Sequence, residues 1–294
     1  MKHFSVDYRS PPSGLGQIIS SDSDDIILIS YPGCGIPNDP NYSHTIFIDN
    51  PEIEDQGWIG PELPFLFQLL KSFGIEKVYD SELEFETFCN DKDRVKSGFK
   101  IAVVSGNASA ILTAERVVLN ILQRMCGIAT ITNDYVKAIS HTKARLVDTR
   151  KTTPGLRLFE KYAFYCGGGG NHRFGLDSGV MLKDNHIALF GNIFEAVKRI
   201  KERAPILTKV EVECDTVPQV EASINAGADL IMLDNMSTSE MKRAVDLVND
   251  SIPLECSGNV NLDNIGEKAM TGVNYVSVGA ITQSARCIDI GLDV

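Results

Sequence analysis

The chain has 294 residues and a formal net charge of −11, an acidity that argues against an extended nucleic-acid track, which needs a continuous basic surface. Its 43% hydrophobic and 23% charged residues are ordinary for a globular protein, with length enough for one large or two modest domains whose core needs no disulfide staples. Seven scattered cysteines (34, 89, 126, 166, 214, 256, 287) without a Cys-x-x-Cys pair argue against a disulfide framework or a zinc knot. The start lacks the basic-then-apolar pattern of a signal peptide, and the apolar runs are too short to span a bilayer, so the expectation is a cytoplasmic protein.

Residues 1–60 carry the weakest pattern: an acidic run at 22–25, strand-like runs at 26–30 and 45–49, and a turn-rich segment from Tyr31 to Pro37. Residues 62–73 have the apolar spacing of a helix closed by Gly74, residues 77–79 and 101–105 read as extended, and 92–98 reads as a polar turn. From Ala110 to Ile139 the period turns helical, with Ile111, Leu112, Val118, Leu119, Ile121, Leu122 and Met125 on one broad apolar face. A helix of that kind is expected to be a buried connector between domains.

After it, strand-like runs recur at 145–149, 180–184, 209–214, 230–235, 254–257 and 275–280. Amphipathic helices separate the later ones, one opened by the capping box Ser237-Thr-Ser-Glu240. Near-continuous apolar strands alternating with helices predict a parallel sheet covered by helices. Six such units, each ending in polar residues, fit an incomplete α/β barrel of TIM-like type with its chemistry at the carboxyl ends of the strands. The expected organisation is a small N-terminal α/β sandwich over 1–116 and a barrel over 117–284, with the tail at 285–294 packing back on the small domain.

The segment 143–186 holds eight Lys and Arg (143, 145, 150, 151, 157, 161, 173, 183) against four acids (148, 160, 177, 184), a formal +4 that leaves −15 for the rest of the chain. A basic island on an acidic chain, set beside glycine runs, points to a small anionic ligand. The strand ends supply cations first (Arg150, Lys151, Lys183), carboxylates in the middle (Glu211, Glu213, Asp234) and mostly small residues last (Ser257, Gly258, Ser277, Gly279). Late glycines let backbone N–H groups approach phosphate oxygens, and the middle carboxylates suit Mg²⁺ bound partly through substrate phosphates. The residues thus point to a planar acid, a phosphorylated sugar and a divalent metal.

Several ordered segments resemble quinolinate phosphoribosyltransferase. They include Thr-Ala-Glu-Arg at 113–116, Asp-Thr-Arg-Lys-Thr-Thr-Pro-Gly-Leu-Arg at 148–157 and Gly-Gly-Gly-Gly-Asn-His-Arg-Phe-Gly-Leu at 167–176. Leu-Lys-Asp-Asn-His at 182–186, Val-Glu-Val-Glu-Cys at 210–214, Leu-Asp-Asn at 233–235, Leu-Glu-Cys-Ser-Gly at 254–258 and Val-Ser-Val-Gly-Ala at 276–280 continue the likeness. The resemblance implies a sandwich joined to an incomplete barrel and an enzyme that takes quinolinate and phosphoribosyl pyrophosphate to nicotinate mononucleotide, pyrophosphate and CO₂, on the route to NAD. It implies that Arg150, His172, Arg173 and Lys183 hold the quinolinate carboxylates, with Arg116 reaching across a homodimer or higher homo-oligomer. Lys151, Glu213 and Asp234 would serve the sugar pyrophosphate and its Mg²⁺, and Ser257, Gly258 and Gly279 the 5-phosphate. Two departures stand out: the acidic-glycine-aspartate-threonine segment that usually opens the family is absent from 1–60, and Asn259 stands where the family commonly has Gly.

Three other readings share parts of this pattern. A molybdenum-transport paralogue has the fold and the Arg-Lys-Thr element, but it differs in the Asn-His-Arg and Lys-Asp-Asn-His segments found here. A Schiff-base aldolase barrel would use Lys151 or Lys183 and would be trapped by borohydride with a carbonyl substrate. A non-catalytic paralogue would bind ligand without releasing pyrophosphate.

Overall fold

In the computed structural model, residues 83–293 are described throughout, and before them four strands are described by their backbone alone: β1 (Gln17–Ile19), β2 (Leu28–Ser30), β3 (Tyr42–Ile48) and β4 (Trp58–Ile59). The expected helix at 62–73 and the extended run at 77–79 lie outside the described residues. The described part begins with β5 (Glu84–Thr87), β6 (Arg94–Val95) and β7 (Lys100–Gly106). β6 lies inside the segment read as a polar turn and pairs with β4.

A helix of 32 residues, α1 (Ala108–Ile139), follows. Leu119, Leu122, Met125, Cys126, Ile128 and Ala129 recur at helical spacing and are all at most 1% exposed, so both sides of the helix are covered. The boundary expected at 116/117 falls inside it, and one core runs continuously from Ile101 through α1 to Ile290. Its one interior glycine has a packing reason. A Cβ at Gly127 would overlap the carbonyl of Arg286, because the C-terminal tail crosses α1 there. The tail is tied down by Gln123, whose Nε2 donates to Ile290 O at 2.9 Å and whose carbonyl accepts from Ile288 N at 3.0 Å. The tail ends in β14 (Ile290–Asp293), antiparallel to β3 at the edge of a sheet of order β14-β3-β7-β5.

The second sheet is all parallel. Its strands are β8 (Arg145–Val147), β9 (Val180–Leu182), β10 (Val210–Cys214), β11 (Leu230–Asp234), β12 (Leu254–Ser257) and β13 (Tyr275–Ser277). The order is β8-β13-β12-β11-β10-β9, so the sheet curls round in sequence order and stays open between β8 and β9. It is an incomplete barrel with helices outside. These are α2 (Arg157–Cys166), α3 (Asp184–Phe190), α4 (Ile193–Lys201), α5 (Val217–Asn225), α6 (Thr238–Val248), α7 (Ile265–Ala269) and α8 (Ala280–Gln283). Ser237 caps α6 as its spacing predicts, accepting from Glu240 N at 3.3 Å.

The glycine run lines the open seam rather than a ligand. Gly170 makes a parallel bridge to Val147, with its N–H donating to Leu146 O at 2.8 Å. A Cβ on Gly169 would overlap the ring of Phe164, and one on Gly167 would overlap Ala129 and Thr132 of α1. Close packing, not anion binding, accounts for these two positions.

The basic island is also less free than its composition suggests. Lys161 is buried in an ion pair with Asp148, and Arg124 Nε lies 2.6 Å from Oε1 of buried Glu160. Glu160 also accepts from Thr153 N at 3.1 Å, and Arg124 reaches Thr282 O at 2.6 Å. Burial pushes the Asp148 carboxyl up and the Lys161 ammonium down, each opposed by the other's charge. Removing one partner of such a pair strands the other, so Asp148→Ala should lower unfolding stability by about 3–5 kcal/mol. Urea denaturation of the variant checks this; a loss below about 1 kcal/mol would mean that Lys161 finds water or a new partner.

Candidate active site

A cavity of about 940 Å³ opens at the carboxyl ends of the barrel strands. Because all six strands are parallel, each delivers its terminal residues to that mouth. β8 brings Asp148, Arg150 and Lys151; the loop before β9 brings His172 and Arg173; β9 brings Lys183; and β10 and β11 bring Glu213 and Asp234. β12 brings Glu255, Ser257 and Gly258, and β13 brings Ser277 and Gly279. Ten of the eleven candidate residues therefore meet in one cavity. The exception is Arg116, which lies on α1 with a side chain 69% exposed and contacts Glu115 at 3.2 Å.

The cations fall into two kinds. Lys183 pairs with Glu213. Arg150, Lys151, Arg157 and Arg173 also line the cavity, yet none has an ion-pair partner among the described residues. Arg157 was not singled out as a site residue. It opens α2 and is aimed by hydrogen bonds to Thr152 Oγ1 at 3.1 Å and Phe174 O at 3.3 Å. Burial and then the nearby Arg150 pull Arg173 down, so two guanidinium groups crowd each other here. Unpaired, mutually repelling cations in a partly closed cleft are what a multiply charged anion would relieve.

The floor of the cavity has a different character. His172 Nε2 lies 3.1 Å from Oε2 of Glu211 and 3.3 Å from Oε2 of Glu255, while Nδ1 accepts from Arg173 N at 2.8 Å. Burial pulls the His172 pKa down, while the carboxylates of Glu211 and Glu255 facing Nε2 pull it up. A second ring proton would nonetheless stand on Nδ1, facing the Arg173 amide hydrogen, so the backbone admits a hydrogen on Nε2 only. Burial likewise pushes the Glu211 carboxyl up. Both ring nitrogens of His172 are thus engaged within the protein.

At the opposite side, the turns after β11 and β12 hold left-handed residues: Asn235 (φ 53°) after β11, and Gly258 (φ 85°) and Asn259 (φ 49°) after β12. A Cβ on Gly258 would overlap the Asn235 side chain, so this glycine is required both by φ and by space. Asn259 Nδ2 donates to Asn235 Oδ1 at 3.0 Å, and Lys268 Nζ donates to Gly258 O at 2.9 Å. Asparagine tolerates the left-handed region better than other side-chain-bearing residues, which explains how it can stand where glycine is common. Gly279 leaves room for Lys151, whose Cδ would sit 2.8 Å from a Cβ there.

An incomplete parallel barrel with a cation-lined cleft at its carboxyl face defines a barrel enzyme that acts on a multiply charged small molecule. The chain belongs to the quinolinate phosphoribosyl transferase family, whose C-terminal domain model matches residues 128–293 and whose N-terminal domain model matches 72–126. It is 46% identical over 204 residues to a Bacillus subtilis protein described as a probable nicotinate-nucleotide pyrophosphorylase (carboxylating), covering 69% of this chain and 71% of that one. A Mycobacterium leprae nicotinate-nucleotide pyrophosphorylase (carboxylating) is 44% identical, with 69% and 72% covered. The crystal structure of NadC from Streptococcus pyogenes superposes with a TM-score of 0.79 at 36% identity, covering 88% of this chain and 87% of that one.

The left-handed loop yields a direct test. Asn259→Gly should change unfolding stability by less than about 1 kcal/mol, since glycine enters this φ freely and loses one exposed hydrogen bond. Asn259→Val should cost about 1–2 kcal/mol, the penalty of a Cβ-branched residue held left-handed. Equal stability of the two variants in thermal and urea melts would show that the loop readjusts.

Proposed function

We infer that this chain joins quinolinate to phosphoribosyl pyrophosphate, giving nicotinate mononucleotide, pyrophosphate and CO₂ for NAD biosynthesis. The observation that carries this reading beyond family membership is the set of four cavity cations without carboxylate partners among the described residues. A rigid dicarboxylate beside a sugar carrying a phosphate and a pyrophosphate supplies the complementary charge.

The pyridine nitrogen attacks the anomeric carbon as pyrophosphate leaves, through an oxocarbenium-like state, so the residues act by positioning and electrostatics. In this proposal Arg150, Arg173 and Lys183 hold the quinolinate carboxylates and Lys151 meets the pyrophosphate. The loop at Ser257 and Gly258, with Gly279, takes the 5-phosphate. The cationic ring nitrogen then accepts the electrons left when the adjacent carboxylate departs as CO₂, and a proton replaces it. Glu213 and Asp234 offer hard oxygen donors fit for Mg²⁺, which when bound would neutralise charge on the leaving pyrophosphate. These two carboxylates do not complete a three-donor protein site among the described residues, so the remaining ligands would come from substrate phosphates and water. Because Lys183 pairs with Glu213, ligand binding on this reading exchanges their mutual contact for one with substrate and one with metal.

Release of CO₂ and pyrophosphate from the two substrates with Mg²⁺ tests the reading, and nicotinic acid, which lacks the second carboxylate, should be a far poorer substrate. Arg173→Ala should weaken quinolinate binding by about 2–5 kcal/mol and leave phosphoribosyl pyrophosphate binding nearly unchanged, as read by calorimetry. Equal turnover of nicotinic acid, or equal weakening of both ligands, would sink the substrate assignment.

The exposed position of Arg116, outside its own chain's cavity, supports its use by a partner subunit in a cytoplasmic homodimer. Mixing the inactive variants Arg116→Ala and Lys151→Ala would then rebuild one intact site in each hybrid. With free exchange about half the dimers are hybrid, so roughly a quarter of full activity should return. No recovery despite verified exchange would assign Arg116 to its own chain or to none.

A further inference from the structure

Below the ligand-facing cations lies a layer that the reaction as read above does not use. Glu211 and Glu255 stand on β10 and β12, one strand apart on either side of β11, and are only 4% and 1% exposed. Oε1 of Glu211 and both carboxylate oxygens of Glu255 lack a hydrogen-bond partner of good geometry among the described residues. What these carboxylates converge on is His172 Nε2, and the three donors lie within 4.8 Å of one another.

Such a triad has the composition of a metal site, but the other ring nitrogen argues against one. His172 Nδ1 accepts the Arg173 amide hydrogen at 2.8 Å, which requires its lone pair and places the ring hydrogen on Nε2. A metal on Nε2 would move that hydrogen to Nδ1, directly against an N–H. The pocket between the two glutamates is therefore suited to an N–H group and not to a cation.

We propose that Glu211 and Glu255 are positioning residues that hold His172 as its Nε2–H tautomer and, through the His172 Nδ1–Arg173 amide bond, fix Arg173 for a ligand carboxylate. The rest of the local structure converges on the same residue. His172 N donates to Asp148 Oδ1 at 2.9 Å, His172 O accepts from Lys161 Nζ at 3.2 Å, and Arg173 Nη1 is tied to Gly179 O at 2.9 Å. With backbone and ring both anchored, His172 presents no free ring nitrogen to substrate, and its contribution to carboxylate recognition passes through Arg173. The proposal rests on the quinolinate reading for the ligand but not for the tautomer.

Buried carboxylates with unpartnered oxygens work against stability, so a purely structural role and a positioning role predict different outcomes. Glu255→Leu should fold with a melting temperature no lower than wild type. It should raise the KM for quinolinate about tenfold, the size expected for losing one charge-assisted contact to the His172 ring. The KM for phosphoribosyl pyrophosphate should stay within about twofold. Glu255→Gln keeps an acceptor oxygen and should restore the quinolinate KM. Nitrogen-15 spectra of histidine-labelled wild type, assigned with His172→Gln, should show hydrogen on Nε2 and none on Nδ1, a measurement that needs neither turnover nor a stable variant. A hydrogen on Nδ1, a stoichiometric metal lost in Glu255→Leu, or equal changes in both KM values would overturn the proposal. If wild type leaves quinolinate unconverted, the function reading fails, while the spectra still decide the tautomer.

Discussion

The buried Asp148–Lys161 ion pair is the contact on which the cation-bearing half of the site hangs. Asp148 closes β8 and faces the sheet's open seam, where no neighbouring strand fixes the backbone. Lys161 comes from α2, and the same Asp148 accepts the amide of His172 from the far side of the glycine run. One carboxylate thereby ties a strand end, a helix and a loop, beside the bridge at Gly170 and the hydrogen bond from Arg157 to Phe174 O. An open barrel needs such a clasp. A closed barrel fixes its loops through hydrogen bonds on both sides of every strand, whereas β8 and β9 each have one free edge.

This clasp also separates the charges that build the protein from those left over for a ligand. Lys161 and Arg124 are neutralised internally by Asp148 and Glu160, and Lys183 by Glu213, while Arg150, Lys151, Arg157 and Arg173 face the cavity without an ion-pair partner among the described residues. The Lys161 and Arg124 pairs lie beneath the cavity, while Lys183 and Glu213 line it together with the unpaired cations. Buried pairs contribute little net stability because desolvation offsets their attraction, so their value here is geometric: they fix where the unpaired guanidinium groups point.

The sequence made the barrel legible because each strand from 209 onward is a short, mostly apolar run followed by a helix, and period separates the two. The helices between β8 and β10 were not legible, for a physical reason. In α2 the apolar stripe of Phe159, Ala163, Phe164 and Cys166 is interrupted by Glu160 and Lys161, which are buried as ion-pair members and read as surface charge. The glycine run beside the basic island has an equally local cause. Gly167 and Gly169 are small because α1 and Phe164 press on them. Candidate ligand residues were legible since strand ends in a parallel sheet share one mouth. Arg157 was missed because it follows a turn and opens a helix rather than ending a strand.

Depth was the quantity the sequence could not convey. Val-Glu-Val-Glu-Cys on β10 places Glu211 and Glu213 on the same face of one strand, and by alternation they are equivalent. In space they are not. Glu213 is half-buried and meets Lys183 within reach of the cavity, while Glu211 lies one step deeper against His172. A rise of about 6–7 Å along the strand separates a carboxylate that can exchange its partner for a ligand from one enclosed by protein. The same step divides Ser257 from Glu255 on β12. Barrels of this kind therefore stack two polar layers from one alternating pattern, an outer one facing ligand and an inner one holding the outer in register.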